Sequence, residues 1–102
     1  MVNKKRIGEY LKNLRLQKIK SDGKKFTQND LANELISNYN CDISINAIGE
    51  WEKGNSLPSP ENLEKLAEIY NKTVDEILDA ADKNTKNYDD IYFLSFITHY
   101  FI

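Results

Sequence analysis

Chemically reactive residues are scarce in this sequence of 102 residues, with a single cysteine, Cys41, and a single histidine, His99. One cysteine closes no intramolecular disulfide and fits a reducing compartment. Nothing in the sequence pairs either residue with a metal ligand or a catalytic base, so an enzyme, a metal site and a cofactor all lack support. Glycine is also sparse, at four residues, and none of them builds a phosphate-cradling loop. Long apolar runs are missing. The longest apolar-rich stretch, Ile91 to Ile102, is broken by Ser95, Thr98 and His99, whereas a membrane span needs roughly 20 predominantly apolar residues. Met1-Val2-Asn3 leads straight into Lys4-Lys5-Arg6 with no signal-like apolar core. A cytoplasmic, non-membrane protein is expected.

Charge of one sign is absent from the average but present locally. The formal net charge is −2, yet residues 1–25 hold nine Lys/Arg against two acids, Glu9 and Asp22. Residues 26–102 carry five Lys/Arg against fourteen acids. Binding to phosphate depends on local basic surface, so the first segment is the electrostatic candidate. The plainer alternative is a solvated lysine-rich helix.

Helix starts punctuate the chain, and no strand pattern of similar quality competes with them. Asn3 can cap a first helix with Ile7, Leu11 and Leu14 on one face. Thr27 with Asp30 forms a capping signal, with Phe26 and Leu31 as a staple, and Leu31, Ala32, Leu35 and Ile36 form the inner face. Ser44 caps a third helix that ends at Gly54 and is stapled by Ile43 and Ile48. Ser59-Pro60 opens a fourth, with Leu63, Leu66, Ala67 and Tyr70 inward. Thr73 with Glu76 opens a fifth that buries Val74, Ile77 and Leu78. The fold class is therefore all-α, a five-helix domain over residues 1–80. Residues 81–102 read as a linker and an aromatic segment. Ile91–Ile102 could supply a sixth helix, a dimer contact, a protein-partner contact, or the start of a longer chain.

The second and third helices carry the functional signal. Thr27-Gln28, Leu31-Ala32, Ser44-Ile45-Asn46-Ala47-Ile48, Trp51-Glu52-Lys53-Gly54 and Pro58 with Leu63 together resemble the lambda-repressor/Cro-type helix-turn-helix family. The resemblance spans about residues 7–78. It implies a sequence-specific transcriptional regulator, a repressor acting as a homodimer on palindromic double-stranded DNA, with the helix from Ser44 in the major groove. Residues at the start of such a helix approach base edges first, which nominates Ile45, Asn46 and Ala47, with Glu50 one turn on. Asn46 suits adenine N6 and N7, Ile45 or Ala47 a thymine methyl, and Glu50 cytosine N4. Gln28 inherits from the family a phosphate contact and a brace on the reading helix. Thr27, Ser44, Lys53, Asn55, Ser56, Lys24 and Lys25 are further phosphate-contact candidates. Ile48 and Trp51 read as core, and the family's Arg–Glu pairing maps onto Arg15 and Glu52. Taken as exposed, that pair is worth about 0.2–1 kcal/mol.

Two stretches depart from the family pattern. Ser37–Asp42 adds residues between helices two and three, either by extending helix two through Asn38 or by lengthening the loop that carries Cys41. Gly49 sits inside the reading helix at a cost of about 1 kcal/mol relative to alanine. Close approach of DNA, helix packing and a merely softened helix are its three readings. A rival function is a protein-interaction module of the same fold, such as an antitoxin or a coactivator-like protein, in which the reading face goes unused.

Overall fold

Asparagine, threonine or serine precedes each of the five helices of the computed structural model, which describes residues 3–81. The helices are α1 (Lys4–Gln17), α2 (Gln28–Tyr39), α3 (Ile45–Lys53), α4 (Pro60–Ile69) and α5 (Val74–Ala81). The Asn3 side chain accepts from the N–H groups of Lys5 and Arg6 at 3.0 and 3.2 Å. Thr27 and Asp30 bond reciprocally, as do Thr73 and Glu76. Ser59 accepts from Asn62 N–H at 3.1 Å, ahead of Pro60 at the first helical position. Each such cap satisfies a donor that the helix cannot, for about 1 kcal/mol. Ser44 differs. It holds the N-cap position of α3, but its side chain makes no capping bond, contrary to expectation.

The added residues between α2 and α3 lengthen the helix. α2 runs to Tyr39 and stops at Asn40, whose φ of 56° is left-handed. Cys41 N–H then returns to Leu35 O at 3.0 Å, the closing bond of a Schellman-type end. A short connection through Ser44 leads into α3. The α1–α2 connection is pinched by one antiparallel bridge between Ile19 and Lys25, with Gly23 (φ 83°) at its turn.

Each helix contributes to a single core, through Ile7, Leu31, Leu35, Ile48, Leu66 and Ile77, all below 2% exposure. Burial of each such side chain is worth about 1.5–3 kcal/mol. The inner face of α2 is narrower than its pattern suggests: Leu31, Ala32 and Leu35 are buried, while Ile36 is 45% exposed. Val74 and Leu78 are only half-buried beside Ile77. α1 packs on both α3 and α5, α2 packs on α3, and α4 on α5.

Two glycines set how closely α1 meets α3. A Cβ on Gly8 would strike the carbonyl oxygens of Trp51 and Glu52. One on Gly54, itself at φ 81°, would lie 2.7 Å from Lys5 Cα. Among the described residues, no helix is long and apolar enough to cross a membrane. The Ile91–Ile102 segment lies outside the described residues.

Candidate nucleic-acid interface

α3 presents two unlike faces. Ile48, Trp51 and Glu52 turn inward and are buried. Ile45, at 42% exposure, and Asn46 face outward, followed along the same stripe by Gly49 and Glu50, both half-buried, and the exposed Lys53. Three of the four expected base-readers, Ile45, Asn46 and Glu50, therefore share one side. Ala47 does not fully join them: it is half-buried and packs against the core. Ile48 and Trp51 are core residues, at 0% and 6% exposure.

The inward face is anchored through Glu52. Arg15 Nε donates to Glu52 Oε2 at 2.7 Å, and Arg15 Nη2 donates to Oε1 at 3.0 Å. Gln28 Nε2 donates to the same Oε1 at 2.9 Å. Arg15 Nη1 also donates to Phe26 O at 3.1 Å, so one guanidinium ties α1 to α3 and to the segment entering α2. The pair is not the exposed one for which a value of about 0.2–1 kcal/mol would hold, because its side chains are only 10% and 5% exposed. The approach of α1 to α3 at Gly8 encloses it. The hydrogen bond to Glu52 raises the Arg15 pKa above its ordinary value against the opposing effect of burial. Tyr70 is buried nearby, and its hydroxyl has no hydrogen-bond partner among the described residues. Burial, and secondarily the charge of Glu52, push its pKa upward.

The phosphate-contact candidates divide by what else they hold. Thr27 Oγ1 donates to Asp30 Oδ2 at 2.9 Å and accepts from Asp30 N–H, so its hydroxyl hydrogen is committed to the cap. The bonds from Thr27 to the Asp30 carboxylate lower that group's pKa. Asn55 Nδ2 donates to Glu50 Oε2 at 2.8 Å, which pairs one expected reader with one expected phosphate contact. Ser44, Lys53, Lys24 and Lys25 are exposed, and Ser56 is half-buried. Of the basic residues near the N-terminus, Lys5 abuts Gly54 at the end of α3, while Lys24 and Lys25 lie in the connection that precedes Gln28, whose side chain bonds Glu52 of α3.

Gly8 escaped the sequence reading. Its only signal was a glycine among good helix formers, one turn inside α1 and not at its end. Among the described residues, no group of three or more His, Cys, Asp or Glu could hold a metal ion.

Five helices, with α2 laid against an α3 whose outer side is open, define a helix-turn-helix protein. The chain belongs to the lambda-repressor/Cro-type helix-turn-helix family, whose model matches residues 22–77. It is similar to the HTH-type transcriptional activator BcrR of Enterococcus faecalis, with 32% identity over 87 residues. That alignment covers 78% of this chain and 39% of the relative, so the chain spans about two fifths of that protein's length. No solved structure matches it.

Proposed function

We propose that this protein regulates transcription by binding double-stranded DNA sequence-specifically, with α3 in the major groove. The observation that carries the reading is the division of α3, buried and locked through Glu52 on one side and exposed at Ile45 and Asn46, with the half-buried Glu50 following, on the other. Membership of the helix-turn-helix family supports it. So does the naming of the relative as a transcriptional activator.

In this reading Asn46 bonds adenine N6 and N7, Ile45 meets a thymine methyl, and Ala47 contributes only its exposed edge. Glu50 reaches cytosine N4 with the oxygen that Asn55 leaves free. Ser44, Lys53, Ser56, Lys24 and Lys25 contact phosphates, and Thr27 joins them only by giving up its bond to Asp30. One domain of this size reads a half-site of a few base pairs, so we assign a two-fold homodimer on a palindromic operator in the cytoplasm. Repression by occupancy needs nothing beyond this face. The activator role in the relative's name would require a second surface as well.

Selection from random duplexes tests the reading. The wild-type protein should enrich one half-site, and Asn46→Ala should lose preference at one adenine and bind the selected duplex about tenfold more weakly. A wild-type chain that enriches no sequence, or an Asn46→Ala variant with unchanged preferences, would overturn the corresponding assignment.

A further inference from the structure

Gln28 is the first residue of α2, half-buried, with its amide nitrogen held by Glu52 Oε1 at 2.9 Å. The Glu52 oxygens already accept from Arg15. Only the nitrogen end of the Gln28 amide can donate to that carboxylate, so the network fixes which end faces which way. The oxygen is turned towards Gly49. A Cβ added to Gly49 would lie 3.6 Å from Gln28 Oε1, and among the described residues no other side chain or distant backbone atom comes within 4 Å of it. No donor among the described residues bonds this oxygen.

A hydrogen-bond acceptor held in one orientation thus stands over bare backbone on the open stripe of α3, between Asn46 and Lys53. A phosphate carries only acceptor oxygens in its contacts with protein, so Gln28 Oε1 cannot bond one. In the major groove the donors are adenine N6 and cytosine N4, whereas guanine and thymine offer acceptors. We propose that Gln28 is a specificity-determining residue whose side-chain oxygen accepts a hydrogen bond from the amino group of an adenine or cytosine. Gly49 leaves the approach open, which gives the glycine of the reading helix a use. The inference rests on α3 lying in the major groove and adds a base contact to the phosphate role that the family resemblance implies for Gln28, a role that the second Nε2 hydrogen can still fill.

Two variants in the same random-duplex selection test it, with thermal melting to verify folding. Gln28→Ala should bind the wild-type duplex about tenfold more weakly and accept either base class at one pair, with the remaining pairs still specified. Gln28→Lys keeps a donor for Glu52 but replaces the acceptor, so preference at that pair should move from an amino-bearing to a keto-bearing base. Uniform weakening with every base preference intact, or an unchanged site for Gln28→Lys, overturns the assignment while leaving α3 as the reader. A folded wild-type protein that enriches no site overturns both.

Discussion

Three hydrogen bonds converge on the two carboxylate oxygens of Glu52, and they come from α1 and α2. Breaking a buried pair on one side strands the other charge in a poor dielectric, which costs about 3–5 kcal/mol. Arg15→Met should therefore lower stability by about that amount in urea unfolding, because Glu52 stays buried and Phe26 O also loses a donor. The double variant Arg15→Met with Glu52→Leu should recover most of the loss, since apolar replacements of a buried pair are close to neutral. A cost below about 1 kcal/mol for Arg15→Met would mean that the pair behaves as an exposed one. The partners were legible in the sequence through the family resemblance. Their burial was not, because Arg and Glu ordinarily mark surface, and here it is the meeting of α1 and α3 that hides them.

At the scale of the helix, what the sequence disclosed was mostly local chemistry. Asn3, Thr27 with Asp30, Ser59 and Thr73 with Glu76 all cap as their side chains suggest, since a cap needs only three or four neighbouring residues. Properties set by a distant partner were harder to read: Ile36 fits the apolar stripe of α2 but is exposed, and Ser44 stands at the N-cap without bonding there. The two interior glycines of α1 and α3 make the same point and can be tested together. Gly8→Ala pushes a methyl group into the backbone carbonyls of Trp51 and Glu52, where no side chain can swing aside. It should cost about 1–3 kcal/mol through forced backbone movement. Gly49→Ala meets only Gln28 Oε1 at ordinary contact distance, so the packing reading of this glycine falls away. It should stabilise the protein by about 1 kcal/mol through helix propensity. Thermal melts of the two variants should therefore shift in opposite directions. Equal destabilisation by both would show that α3 has a tight neighbour at Gly49 as well.

Across the whole molecule, a net charge of −2 looks ill suited to a polyanion, yet affinity depends on which charges meet the phosphates. Residues 1–25 concentrate nine basic side chains against two acids, and the fold sets Lys5, near the start of that segment, against Gly54 at the end of α3. Lys24 and Lys25 are exposed on the connection that precedes α2, outside the reading helix itself. Removing them should alter affinity without altering sequence choice. Each lysine that neutralises a phosphate releases a condensed cation, and this contributes about 0.9 to the slope of log affinity against log salt. The pair Lys24→Ala and Lys25→Ala should therefore weaken binding to all duplexes alike and reduce that slope by roughly 2 per protomer. The selected half-site should stay the same. A slope that does not change on their removal would place this segment away from the DNA backbone, and the electrostatic share of binding would then have to come from Lys4, Lys5 and Lys53, beside the end of α3.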